Sequence, residues 1–312
     1  QSDQIGVLKN KVVYNLNNYF GDISLIQLLQ TENYQTQVAS FISDKNCLAH
    51  KMEDIILLPV IPNPTSFRDA YAFRQHVSTS RRNRGLNMIP EFDQFPVFYF
   101  SNHNAMYAHK QEIELMPDHF HNLDYELEVA IIIGKRGKNI LAKNANNHIA
   151  GICILNDLSA RVLQMQEMKL NLGPAKGKDF ANVIGPYLVT LDELKANSIE
   201  TDNGIKYNLN MKCYVNGELL SQGNTKDMHW TFAEIIERVS YGVELLPGDI
   251  IGSGTVGTGC LLEINGTQKV ANPNYKEKWL KEGDVVKMEV EGLGAISNKI
   301  IKSNSKHSII KH

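Results

Sequence analysis

Cysteine is scarce. Cys47, Cys153, Cys213 and Cys260 are the only four in 312 residues, and no two are close enough for a CxxC pair. That spacing excludes a zinc-finger framework and a disulfide-stapled fold, and four reduced, mostly buried thiols are expected. Long apolar runs are missing too. Val129-Ala130-Ile131-Ile132-Ile133 is among the longest, far below the roughly 18 residues of a membrane helix. Gln1 to Asn10 show no charged-then-apolar leader, so a cytoplasmic protein is expected. There is no basic excess either: 32 Lys and Arg stand against 34 Asp and Glu, a net charge of -2. A general nucleic-acid binder would carry a positive surplus, so neither nucleic acid nor membrane is expected as a partner. Apolar residues at 43% and charged residues at 21% describe a chain that can bury a core and is not disordered.

Pro59, Pro62 and Pro64 punctuate the chain and no helix survives them, so a boundary is placed there. Residues 1–60 read as a small leading unit, residues 61–301 as the main domain and residues 302–312 as a polar, frayed tail. The leading unit holds a short strand at Val12-Val13-Tyr14 and helical spacing over Ile23 to Leu29 and Val38 to Ile42. Thr65 or Ser66 is expected to cap a helix carrying Phe67, Ala70, Tyr71 and Arg74. Strand signals dominate from Tyr125 onward: Glu126 to Ile133, Gly151 to Leu155, Tyr187 to Thr190, Leu209 to Val215 and Val285 to Val290. The best helix is Trp230 to Val239. Strands outnumber helices without alternating strictly with them, which predicts a β-rich α+β fold with a mixed sheet rather than a doubly wound one.

Several short motifs could carry chemistry. In Asp124-Tyr125-Glu126-Leu127-Glu128 the two glutamates share one face of a strand. Either that face is open to water or a cation offsets the repulsion. Gly151 to Leu155 runs into Asn156-Asp157-Leu158-Ser159-Ala160-Arg161. There Asp157 or Ser159 is a helix cap, or Asp157 is a ligand at a strand end. Asp69 and His76 are seven apart and would share a face of a continuous helix. The Gly177-Lys178 loop lacks phosphate-loop spacing, and Gly252-Ser253-Gly254-Thr255 reads more readily as a plain turn than as a backbone anion site. His103, His109, His119 and His121 read as solvated and are left out of any site.

Taken together and in order, these motifs resemble the fumarylacetoacetate hydrolase superfamily over roughly residues 65 to 300. The resemblance implies a β-sandwich roll as the catalytic domain and nothing for the first 60 residues. It implies a metal site of Asp69, Glu126, Glu128 and Asp157, an all-oxygen set that selects Mg²⁺ first, with Mn²⁺ or Ca²⁺ as alternatives. His76 would be the general base that activates water, Glu263 its orienting partner and Lys178 the group meeting oxyanion charge, with Lys176 in reserve. Thr79 stands three residues after His76, where short-lid relatives have Glu, and this favours Glu263 as partner. Arg161, Gln164 and Thr255 match substrate-binding positions. Arg84 or Arg81 would clamp a substrate carboxylate, or else belong to a solvated basic loop. Tyr99 would line the cavity or be an ordinary core aromatic.

The implied activity is metal-dependent hydrolysis of a C–C bond in a β-diketo acid, with the enolate stabilised by the cation. A 2-oxo acid lyase or isomerase (oxaloacetate decarboxylase, hydratase or tautomerase) is the alternative on the same scaffold. A non-catalytic ligand-binding relative is a third reading, disfavoured because His76 is present. A homodimer acting on a small diketo or 2-oxo acid follows from the resemblance.

Overall fold

The computed structural model describes residues 3–43 and 49–310, so Cys47 lies outside the described residues. Two β-sheets carry the fold. The elements that build the site are β1 (Phe67–Ala70), α1 (Arg74–Arg82), β2 (Phe98–Ser101), β3 (Met106–Tyr107), β4 (Leu127–Ile133), β5 (Ile149–Asp157), α2 (Arg161–Met168), β6 (Asn182–Val189), α3 (Phe232–Ser240), β7 (Ile250–Gly252) and α4 (Leu261–Ala271). Seven strands form one mixed sheet in the order β2-β1-β7-β4-β5-β6-β3. A second, five-stranded sheet holds Glu218–Asn224, Asn210–Val215, Val285–Val290, Gly294–Lys302 and Ile113–Leu115. This is the mixed-sheet, β-rich α+β architecture expected.

The alternation in β4 explains the layering. Leu127, Val129, Ile131 and Ile133 turn to one face and join the main core with Met211, Cys213, Met288 and Ile296 of the second sheet. Ala130 and Ile132 turn to the other face and pack with Phe67, Leu155, Ile184 and Ile250. Leu29, from the leading segment, and Ile61, at the start of the main domain, complete that second cluster. Each such aliphatic side chain contributes roughly 1.5–3 kcal/mol on burial, so both faces of β4 are strongly specified. α3 begins at Phe232 because Thr231 and Glu234 form a reciprocal capping box.

One expected helix is a strand. Phe67–Ala70 pairs parallel with Ile250–Gly252 and antiparallel with Phe98–Ser101. Thr65 and Ser66 do not cap; their hydroxyls donate to Asp249 Oδ1 at 2.7 and 2.6 Å. All four strand residues are buried, which removes the alternation that marks a half-exposed strand. The helix starts only at Arg74. Asp69 and His76 therefore belong to different elements and share no helix face. The tail is also better held than expected: Ser308 Oγ and the backbone N–H of Ile309 donate to Asp118 at 2.8 and 2.6 Å.

Candidate metal and catalytic site

Directly opposed residues in a sheet point to the same side. Asp69 lies opposite Tyr99 and Gly252, Gly252 opposite Ala130, Glu128 opposite Leu155, and Asp157 opposite Asn182. One face of the large sheet thus carries Asp69, Tyr99, Glu128, Asp157 and Asn182 beside the apolar cluster of Phe67, Leu155 and Ile250. Asp69, Glu128 and Asp157 each bring one carboxylate oxygen within 4.8 Å of the others. All three are buried. Gly252 makes room for them, since a Cβ there would stand 2.2 Å from Asp69 Oδ1.

The surrounding donors orient these acids. The Gly254 N–H donates to Asp69 Oδ1 at 3.1 Å, and Thr255 Oγ1 donates to Glu128 Oε1 at 3.3 Å. Tyr99 Oη donates to Asp157 Oδ2 at 2.7 Å and lies 3.3 Å from Asp69 Oδ2. Lys178 Nζ is 2.5 Å from Asp157 Oδ2 and also pairs with Glu126 Oε2. Lys178, not Lys176, is the lysine in the site. Lys176 is exposed and pairs with Asp179 at 2.9 Å.

Glu126 sits beside the other three acids with both oxygens engaged. Lys178 holds one, and Arg161 Nη2 donates to the other at 2.8 Å. Arg161, matched above to a substrate-binding position, spends four N–H bonds on protein. Two go to Asp124 Oδ2 at 2.9 and 2.7 Å, one to Glu126 and one to Gln164 Oε1 at 2.9 Å. These bonds hold the acids in place. Gln164 keeps its amide N–H groups uncommitted to Arg161. Asp124 also accepts the backbone N–H groups of Leu261 and Leu262 at 2.7 and 3.0 Å. It thereby caps α4 from outside the helix and fixes its first turn, where Glu263 sits.

His76, in the first turn of α1, places Nδ1 2.7 Å from Glu263 Oε2, with both side chains buried. The Tyr71 ring meets the imidazole edge-on at 5.8 Å between centroids. Arg84 is exposed and its Nε donates to the Ser80 carbonyl at 3.0 Å, while Arg81 Nε donates to the Asn87 carbonyl at 2.5 Å. The positive charge of Arg84 reaches Tyr71, which places it on the His76 side of the site.

Burial sets the charge states. It pushes Glu128 well above the carboxylate range, with Asp69 and Glu126 adding repulsion. Burial and Asp157 push Asp69 up to about 7. Burial also raises Asp157 despite the neighbouring Lys178 ammonium. For Glu126 burial works the same way, yet Lys178 and Arg161 outweigh it and hold the carboxyl below its usual range. Burial opposes the charge on Lys178, but Asp157 and Glu126 keep it protonated. Burial and then Glu126 raise Tyr71 to about 12.

Glu128 Oε2 and Asp157 Oδ1 are buried with no hydrogen-bond partner. An unmet buried acceptor costs about 1–3 kcal/mol, and two aimed into one all-oxygen pocket suit a hard divalent cation. The residues fit such an ion.

Four residues of this region escaped sequence reasoning: Tyr71, Asp124, Asn182 and Cys260. Asn182 has both amide atoms buried without a partner on the face that carries Asp157. Asp124 carried one available signal, as a third acid in an Asp-x-Glu-x-Glu run. The excluded histidines are less solvated than expected: only His121 is exposed, His103 and His109 are half-buried, and His119 is buried. His119 stacks on Phe180 at 4.0 Å between centroids. None of the four joins a ligand cluster among the described residues.

A buried carboxylate pocket thus lies beside a His–Glu pair, on a mixed sheet backed by a second sheet. Residues 65–301 match the family model for fumarylacetoacetate (FAA) hydrolase C-terminal, and the chain belongs to that family of enzymes. An uncharacterised protein of Methanocaldococcus jannaschii is 35% identical over 216 residues, covering 69% of this chain and 76% of that one. A mitochondrial oxaloacetate tautomerase of Bos taurus is 37% identical over 187 residues, 60% of this chain and 53% of that one. The match thus spans about half the length of the bovine protein. The crystal structure of maleylpyruvate hydrolase from Sphingobium sp. SYK-6, in complex with manganese(II) ion and pyruvate, superposes with a TM-score of 0.72 at 18% identity. That superposition covers 96% of this chain and 97% of the other.

Proposed function

We propose that this protein is a metal-dependent hydrolase that cleaves a C–C bond in a β-diketo acid. The observation that supports hydrolysis is the buried contact between His76 Nδ1 and Glu263 Oε2. A neutral imidazole held by a carboxylate on one nitrogen can take a proton from water on the other. The carboxylate then stabilises the imidazolium. Water adds to the carbonyl, the C–C bond breaks, and the electron pair is delocalised as an enolate. His76 returns the proton to that carbon. Lys178 offers positive charge to the developing oxyanion, and Tyr99 and Thr255 set the orientation of the acids around it.

Asp69, Glu128 and Asp157 would hold the cation, with Glu126 alongside as the fourth acid of the set. Mg²⁺ is the ion we favour, with Mn²⁺ or Ca²⁺ able to serve. When bound, it supplies Lewis acidity toward paired carbonyl oxygens of a diketo or 2-oxo acid. Arg84 or Arg81 would meet the substrate carboxylate, with the Gln164 and Asn182 amides as further polar contacts. A homodimer, a cytoplasmic location and a division at residue 60 belong to the same proposal. No helix among the described residues is long and apolar enough to cross a membrane.

The second reading is tautomerisation of a 2-oxo acid, favoured by the bovine relative. It uses the same pocket to stabilise an enolate and needs no water attack. Loss of enol absorbance with acylpyruvates, fumarylacetoacetate and oxaloacetate, measured for wild type and His76→Ala, separates the two. Turnover of acylpyruvates or fumarylacetoacetate that vanishes in the variant supports hydrolysis; turnover of oxaloacetate alone contradicts it.

A further inference from the structure

Beside the all-oxygen pocket lies a second cluster of different chemistry. His76, Cys260 and Glu263 each bring one ligand atom within 4.8 Å of the others. Cys260 and Glu263 are almost fully buried and His76 is 5% exposed. The helix explains the convergence. Cys260 is the N-cap of α4 and Glu263 is its third residue, and side chains at those two positions lie side by side. In an ordinary capping box they would satisfy the first backbone N–H groups. Here Asp124 already takes the N–H groups of Leu261 and Leu262, and Cys260 makes no capping bond. Both side chains turn instead to His76. Glu263 uses Oε2 on the imidazole, while its Oε1 is buried with no partner.

One sulfur, one imidazole nitrogen and one carboxylate oxygen make a mixed, softer set. The neighbouring pocket offers oxygen alone. Sulfur ligation discriminates against Mg²⁺ and Ca²⁺, and three protein ligands with a fourth position open to water is the arrangement zinc takes at non-structural sites. We propose that His76, Cys260 and Glu263 form a second site, selective for Zn²⁺ and chemically similar thiophilic divalent ions and independent of the carboxylate pocket. Binding uses a neutral His76 nitrogen and a Glu263 oxygen, and it releases the Cys260 thiol proton to solvent. No oxidation takes place. Occupancy removes His76 from proton transfer, so Zn²⁺ is an inhibitor; this last consequence alone rests on the function proposed above.

Co²⁺ is the probe, because a cobalt–thiolate bond gives a near-ultraviolet charge-transfer band that oxygen ligands do not. The titration uses the full chain in a Cys47→Ala background with the carboxylate pocket saturated by Mg²⁺. The expected result is a thiolate band that reaches its plateau at one equivalent and is bleached by Zn²⁺. Cys260→Ser, matched to the parent by far-ultraviolet circular dichroism, should lose the band and weaken zinc inhibition at least about 100-fold, the upper end of what losing an outer-shell partner costs. Asp157→Ala should keep it. The proposal is overturned if no band forms, if the band survives Cys260→Ser, or if a folded Asp157→Ala abolishes it. The band is read without turnover, so an error in the proposed activity would leave it in place.

Discussion

The Lys178 ammonium lies 2.5 Å from Asp157 Oδ2 and bridges it to Glu126. One buried cation therefore pairs with two of the four acids, and Asp69 and Glu128 have no ion-pair partner among the described residues. Burial first, and then repulsion from neighbouring carboxylates, raises both groups, and added positive charge would offset that repulsion. A divalent ion would supply that charge. Mg²⁺ at about 100 times its Kd should stabilise the fold by about 2.7 kcal/mol, a rise in Tm of roughly 5 °C. In Asp157→Ala the shift should disappear. An unchanged shift, read by differential scanning calorimetry with and without Mg²⁺, would remove the metal assignment.

Replacing Lys178 tests the bridge from the other side. Lys178→Met leaves Glu126 and Asp157 buried without their cation, and losing one partner of a buried pair costs about 3–5 kcal/mol. The metal-free variant should unfold at lower urea, and kcat should fall roughly 10²–10³-fold if Lys178 meets oxyanion charge. A variant that loses stability but keeps kcat would confine Lys178 to a structural role.

Asp124 touches no member of the carboxylate pocket except through Arg161, yet it fixes the first turn of α4. Asp124→Ala should destabilise by about 3–5 kcal/mol, because Arg161 loses its main partner. It should also lower kcat more than it raises KM, since Glu263 loses its fixed place against His76. The ratio of the two kinetic effects is the measurement; an effect on KM alone would contradict the positioning role.

Asn182 predicts a trade between stability and binding. Its amide is buried without partners, so Asn182→Leu should stabilise the metal-free fold by about 1–3 kcal/mol. The same change should raise KM, because the substrate loses an amide contact. Chemical denaturation and steady-state kinetics on one preparation test both halves.

His119 gives a pH signature away from the site. Burial against Phe180, with Lys176 adding repulsion, lowers its pKa from 6.5 to about 4. The unfolded chain therefore binds the proton more readily than the folded one. The stabilisation is complete above pH 6.5 and is lost progressively as pH falls toward 4. Urea midpoints of His119→Phe should show a shallower decline over that window than wild type; parallel curves would contradict the buried neutral imidazole.

Much of this was legible in the sequence, and what was not has physical reasons. Val285–Val290 and the helix near Trp230 announced themselves because each shows one face to water and one to the core, or carries a capping box. Phe67–Ala70 did not, because a strand buried on both faces has no period to read. The resemblance pointed to Asp69, Glu126, Glu128 and Asp157 as ligands, and the fold brings carboxylate oxygens of Asp69, Glu128 and Asp157 within 4.8 Å of one another. The resemblance already favoured Lys178 over Lys176, and the loop turns Lys178 inward while Lys176 stays exposed. The ion pairs of Arg161 were not legible, because its partners Asp124 and Glu126 lie at sequence separations of 37 and 35. Cys260 looked like one more buried thiol until the fold set it against His76.

The central claim is that His76, oriented by Glu263, delivers water to a carbonyl beside the carboxylate pocket. Turnover of an acylpyruvate in heavy-oxygen water, with mass analysis of both products, tests it most directly. The account predicts two acids, with one solvent oxygen in the newly formed carboxylate, and no product from His76→Ala. Keto–enol interconversion with the carbon skeleton intact, or cleavage that persists in His76→Ala, would contradict it.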